Sequence, residues 1–235
     1  EGGAGDQADS LALDFADAGT AQAFVKRITP AQCRLKVGLE LFTVAGPGLV
    51  ENLVSWGFDV FLDLKYHDIP TTVARACTQA AGLGVWMVNV HTLGGGHMLA
   101  AAREAIDHSS HRPLLVGVTL LTSHGDDDLA EIGLERGMKM QVERLAGIAR
   151  DAHLDGVVCS PQEAPRLRRR FGQEFLLVTP GVRQSTDARD DQRRALTPAE
   201  AVANGADYLV IGRPVTRAPD PVAALNTIHH EIQAI

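Results

Sequence analysis

Eight short apolar runs, each followed by a longer stretch with helical spacing of its apolar residues, constrain this chain more than any other feature. The runs lie at residues 11–15, 34–37, 60–64, 85–91, 114–119, 156–159, 175–179 and 208–211. The stretches after them lie at 19–28, 46–56, 71–83, 96–108, 138–152, 162–171, 197–204 and 222–235. A helix between successive strands leaves room only for parallel pairing, because a parallel crossover needs a dozen or more residues. Gly57, Gly84 and Gly205 stand where a helix must stop before the next strand, the position where glycine is favoured. Eight such units in 235 residues predict a single (β/α)8 TIM barrel; a doubly wound sheet is the alternative.

No linker or composition break divides the chain, so residues 10–235 are expected to form one barrel domain. Residues 1–9 are polar and glycine-rich and read as a flexible N-terminal segment without the basic-then-apolar pattern of a signal peptide. The formal net charge of -7 argues against nucleic-acid binding. No apolar run reaches the ~18 residues of a membrane span. Cys33, Cys77 and Cys159 are far apart in apolar surroundings, as expected of reduced, buried thiols in a cytoplasmic protein.

In barrels of this kind the chemistry sits where strands end at the C-terminal face. Charged and polar residues gather at those ends: Asp14, Lys36, Asp63 with Lys65, His91, Thr119 to Ser123, Pro180 to Arg183, and Gly212 with Arg213. Asp63 and Lys65 are two apart on one strand and should project together. An anion fixed beside a cation at a strand's end is costly in a core and useful in an active site. The long polar stretch 184–194 is expected to cover that site. The histidine spacings, such as His91 with His97 and the adjacent His229 and His230, do not suit shared metal ligation, so no metal is expected. The acidic run Asp126 to Asp128 reads as a solvated helix start.

The ordered set of motifs resembles the orotidine 5′-monophosphate decarboxylase family, in its bacterial branch. The motifs are Leu13-Asp14-Phe15, Leu35-Lys36-Val37-Gly38, Asp63-Leu64-Lys65-Tyr66-His67-Asp68-Ile69-Pro70, Thr119-Leu120-Leu121-Thr122-Ser123, Thr179-Pro180-Gly181-Val182-Arg183, Asp191-Gln192-Arg193-Arg194 and Val210-Ile211-Gly212-Arg213-Pro214. Thr71 departs from the asparagine usual after the proline. The resemblance implies cofactor-free loss of carbon dioxide from orotidine 5′-monophosphate, giving uridine 5′-monophosphate, the last step of pyrimidine synthesis. It implies Lys65 as proton donor within a Lys36, Asp63, Lys65, Asp68 charge network. It assigns Asp14 and Lys36 to the ribose hydroxyls and Thr122, with its neighbour Ser123, to the pyrimidine. Arg183, Gln192, Gly212 and Arg213 would hold the phosphate, with Pro180 beside them. Asp68, Ile69 and Thr72 would reach the neighbouring site of a homodimer.

Two other functions fit parts of the pattern. A metal-dependent sugar-phosphate decarboxylase resembling 3-keto-gulonate-6-phosphate decarboxylase shares Asp-x-Lys-x-x-Asp, but carries Glu on its second strand where this chain has Lys36, whose charge would repel the metal. A non-catalytic phosphate-binding barrel would need neither the Asp63–Lys65 pair nor a closing loop.

Overall fold

The computed structural model describes residues 9–135, 137–182 and 196–234. Eight parallel strands close into a barrel in sequence order, the last pairing with the first through Asp9↔Leu209, Ser10↔Val210 and Leu11↔Ile211. The expected (β/α)8 barrel is therefore the fold.

In chain order the first half comprises β1 (Asp9–Ala12), α1 (Ala18–Val25), β2 (Arg34–Val37), α2 (Leu39–Ala45), α3 (Pro47–Ser55), β3 (Val60–Tyr66), α4 (Pro70–Gly82) and β4 (Met87–His91). A single 3-10 turn, Thr92–Gly94, leads into α5 (Gly95–Asp107). The second half comprises β5 (Leu114–Val118), α6 (Asp126–Glu131), α7 (Met138–Asp151), β6 (Gly156–Val158), α8 (Ala164–Phe171) and β7 (Leu176–Thr179). The chain continues through α9 (Pro198–Ala203), β8 (Tyr208–Ile211), α10 (Arg213–Thr216) and α11 (Pro221–Gln233).

Three helices, α1, α9 and α11, begin where a side chain satisfies a free amide. Asp17 accepts from the Thr20 N–H at 2.7 Å, and Asp220 from the Ala223 N–H at 3.0 Å. Thr197 and Glu200 form a reciprocal capping box, with Pro198 at the first helical position. The apolar faces of the helices bury Val73, Leu99, Val142 and Leu225 against the outside of the sheet.

Inside the barrel, Ala12, Phe61, Met87, Val116, Val178 and Val210 fill the cross-section with a layer of packed apolar side chains. Below that layer, at the N-terminal end, Arg34 is buried with its guanidinium 4.5 Å from the centre of the Trp86 ring and 5.3 Å from that of Tyr208. Its Nε lies 3.3 Å from Asp59 Oδ2. The floor is thus closed. Above the layer the inward positions turn polar.

Three details differ from expectation. β1 starts at Asp9, which is buried with its Oδ2 2.9 Å from His229 Nε2, so Asp9 belongs to the barrel and not to a flexible terminus. Residues 1–8 lie outside the described residues. β1 also ends at Ala12, which leaves Asp14 exposed on the loop beyond. Finally, α2 forms where no helix was expected. Glycines at both its ends, Gly38 and Gly46, hid a seven-residue helix whose single buried residue is Leu41.

Candidate active site

A cavity of about 300 Å³ opens at the C-terminal mouth of the barrel. Its deep wall carries Lys36 from β2, Asp63 and Lys65 from β3, and Asn89 from β4. Asp63 sits between the two ammonium groups: Lys36 Nζ lies 3.0 Å from its Oδ2, and Lys65 Nζ lies 2.6 Å from its Oδ1. The side chains of Lys36 and Asp63 are nearly buried, while that of Lys65 is 30% exposed and faces the opening.

Burial alone would push the Asp63 carboxyl up. The charges of Lys36 and Lys65, with hydrogen bonds from Lys65 and Asn89, outweigh it and hold the carboxyl below its usual range. Lys36, Asp63 and Lys65 together carry one more positive charge than negative, and the excess stands at the partly exposed Lys65, where it favours an anionic ligand.

The expectation that Asp63 and Lys65 project together holds, but a regular strand does not produce it. Leu62 pairs with Val88 and Tyr66 with Val90, so β3 spends four steps where β4 spends two. Lys65 absorbs the extra length with a positive φ of 50°. That region costs a non-glycine residue roughly 1–2 kcal/mol and is held by its surroundings. The Lys65 N–H is secured by Asn89 Oδ1 at 2.9 Å, and Asn89 Nδ2 donates to Asp63 Oδ1 at 2.7 Å. Asn89 was not among the expected site residues. The signal was present: it is the one polar residue among Met87, Val88 and Val90, in a strand otherwise read as core.

Beyond the charged wall the lining is mixed. Asp14, Thr122, Pro180 and Gly212 line the mouth, and Val118, Leu120 and Val158 form an apolar patch across from the lysines. Gly38 stands just past Lys36, and a Cβ there would lie 3.2 Å from the Lys36 ammonium.

The remaining expected residues fall elsewhere. Arg213 is exposed and opens α10 immediately after Gly212, at the rim of the cavity. Ser123 is exposed next to Thr122 and does not line the cavity. Asp68, Ile69 and Thr72 are exposed at the start of α4 and are not part of this chain's own pocket wall. The Asp68 carboxylate accepts from the Ile69 N–H at 2.6 Å, so within one chain the charged set is Lys36, Asp63 and Lys65 without Asp68. The N-cap of α4 is Ile69, which provides no side-chain bond. Arg183, Gln192 and the loop 184–194 lie outside the described residues.

Next to the charged wall, His67 and His91 stack with ring centres 5.4 Å apart and planes 22° from parallel. Burial first, then the nearby His67, Lys65 and His124, push the His91 imidazole down to about 4. Neutral at physiological pH, His91 accepts the Leu93 N–H on Nδ1 at 3.3 Å. His67 packs on His91, yet its side chain is exposed. Among the described residues no group of three or more His, Cys, Asp or Glu is placed to hold a metal ion. No helix among them is long and apolar enough to cross a membrane.

Residues 10–228 match the model of a family described as "Orotidine 5'-phosphate decarboxylase / HUMPS family". The chain is 60% identical over 225 residues to the orotidine 5'-phosphate decarboxylase of Laribacter hongkongensis, covering 95% of this chain and 92% of that one. It is 59% identical over 222 residues to the same-named protein of Chromobacterium violaceum, covering 94% and 90%. Among solved structures, the orotidine 5'-phosphate decarboxylase of Lactobacillus acidophilus superposes with a TM-score of 0.87 at 36% identity, covering 97% of this chain and 99% of that one.

Proposed function

The chain belongs to the orotidine 5'-phosphate decarboxylase / HUMPS family, and from that premise we propose that it converts orotidine 5′-monophosphate to uridine 5′-monophosphate and carbon dioxide, as a cytoplasmic enzyme of pyrimidine synthesis that uses no cofactor. The observation that carries this reading is the Lys36–Asp63–Lys65 array on the deep wall of the barrel mouth.

Loss of carbon dioxide from this substrate leaves an electron pair in the plane of the pyrimidine ring, where the ring's π system cannot spread it. Without an organic electron sink, stabilisation must come from fixed charge. Lys65 supplies it: its ammonium faces the opening and is held at one end by Asp63. As the bond to the carboxylate breaks, the ammonium meets the developing negative charge and then gives up a proton to the ring carbon. At about 4 Å and an effective dielectric of about 20, such a pair interacts by roughly 4 kcal/mol, or about three decades of rate. Larger accelerations need further contributions. Asp63 makes one, since its carboxylate repels that of the substrate and the repulsion ends when carbon dioxide leaves. The apolar patch of Val118, Leu120 and Val158 favours the neutral gas over the anion it came from.

Asp14 at the mouth and Lys36 on the wall hold the ribose hydroxyls, and Thr122 contacts the pyrimidine. Arg213, with Gly212, Arg183 and Gln192, holds the phosphate. Binding energy from the phosphate is used to close the site and exclude water. The site is completed in a homodimer, in which Asp68, Ile69 and Thr72 of each chain reach the neighbouring pocket. The exposure of all three on their own chain supports this arrangement.

The test is the fall in ultraviolet absorbance of orotidine 5′-monophosphate with the wild-type chain and a chelator present. Turnover is expected, and Lys65→Ala should reduce kcat by at least a thousandfold. Absence of turnover, or turnover of a sugar phosphate that requires magnesium, overturns the reading.

A further inference from the structure

Asn89 is buried at 1% exposure in the middle of β4, opposite the place where β3 leaves its register. Asp63, Leu64 and Lys65 bow away from the ladder there, between the pairs Leu62↔Val88 and Tyr66↔Val90. The carboxamide of Asn89 fills the resulting gap. Its Oδ1 takes the Lys65 N–H at 2.9 Å, and its Nδ2 gives a hydrogen bond to Asp63 Oδ1 at 2.7 Å. That same oxygen accepts the Lys65 ammonium at 2.6 Å. Asn89 therefore holds the backbone of one partner and the carboxylate of the other. The amide's orientation follows from its neighbours: a backbone N–H requires an acceptor and a carboxylate requires a donor.

We propose that Asn89 is a positioning residue for the decarboxylation, tying the strained turn at Lys65 and the carboxylate of Asp63 to β4 so that the Lys65 ammonium is aimed at the reacting carbon. The proposal deepens the decarboxylase reading and rests on it. An ionised aspartate at this position would keep the acceptor for Lys65 but replace the donor to Asp63 by a second negative charge. The charged groups facing position 89 are Asp63 and Lys65 from β3 and Lys36 from β2; its partner on β5, Val116, is apolar. Two carboxylates sharing this site would share a proton more readily as pH falls, and the introduced carboxyl, once protonated, donates to Asp63 again.

The experiment is steady-state kinetics on orotidine 5′-monophosphate for the wild-type chain, Asn89→Asp and Asn89→Ser, with melting curves for each. At pH 8, kcat of Asn89→Asp should fall at least thirtyfold with KM changed less than threefold. The deficit against wild type should shrink as pH is lowered from 8 to 5.5. Asn89→Ser, too short to hold both partners, should lose kcat with little change in KM and no recovery at low pH. Should Asn89→Asp fail to fold, the kcat and KM of Asn89→Ser decide alone. With an active wild type, a kcat within threefold for the folded variants, or an Asn89→Asp deficit that is flat with pH, overturns the inference and leaves the decarboxylase reading standing. An inactive wild type overturns both.

Discussion

Asp63 is the residue on which the opposing effects at this site meet. Burial disfavours its charge, and two ammonium groups with one amide restore it. Replacing it with asparagine leaves the shape and removes the charge, so Lys36 and Lys65 then face each other without a counter-ion. Asp63→Asn should lower kcat by two decades or more while KM for orotidine 5′-monophosphate changes less than tenfold, both measured by steady-state turnover. Weakened binding with intact kcat would make Asp63 a binding group only. The stability that the ionised carboxylate contributes follows the same chemistry. Its folded value lies below its ordinary 3.8, so the contribution is complete above about pH 4 and is lost as pH falls through the lower folded value. The asparagine variant should lack that acid-side loss. At this scale the sequence showed the charged pair but not its support. Asp63 and Lys65 are conspicuous in an apolar run, whereas a single asparagine in a buried strand looks like any hydrogen-bonded core residue until its partners are seen.

All eight strands were legible at the level of elements, because Val, Leu and Ile cluster in short runs between helical spacings. The ends were less so. β3 was expected to stop at 64 and runs to Tyr66, since its bulge keeps the chain paired for two residues beyond the regular ladder. The helix α2 was not foreseen, because a short helix carries too few turns for a period to show. Two strand starts at the N-terminal end share a device that periodicity cannot reveal. Asp155, just before β6, accepts the Leu115 N–H of β5 at 2.7 Å and lies 3.0 Å from Arg103 of α5. Asp207, just before β8, accepts the Leu177 N–H of β7 at 2.7 Å and lies 2.6 Å from Arg168 of α8. Arg168 also donates to the carbonyls of Gly172, Gln173, Phe175 and Gly205. It binds a helix end, two strand starts and a loop with one guanidinium. Arg168→Ala should cost about 3 kcal/mol in urea unfolding, because it strips a mostly buried carboxylate and several carbonyls of their partner. The kcat of the folded fraction should stay within twofold, since the clamp lies at the end of the barrel away from the mouth.

Across the whole molecule the two ends of the barrel do different work. The N-terminal end concentrates groups that hold the structure together: Arg34 between its rings, Asp9 against His229, and the two Asp–Arg clamps. The C-terminal end carries the Lys36–Asp63–Lys65 array, and around it the apolar side chains of Leu39, Ile69 and Leu93 are exposed where β2, β3 and β4 end. Exposed side chains of this kind at the rim suit burial by a second copy of the chain. Ile69→Asp should therefore halve the mass measured by light scattering and cut activity at least a hundredfold, and activity that survives in a monomer would argue that each chain completes its own site. The layer of Phe61, Met87, Val116, Val178 and Val210, with Arg34 beneath it, also makes the pocket a cul-de-sac. On the decarboxylase reading, carbon dioxide freed against that floor meets only packed side chains behind it among the described residues, so its way out is the mouth through which the substrate came.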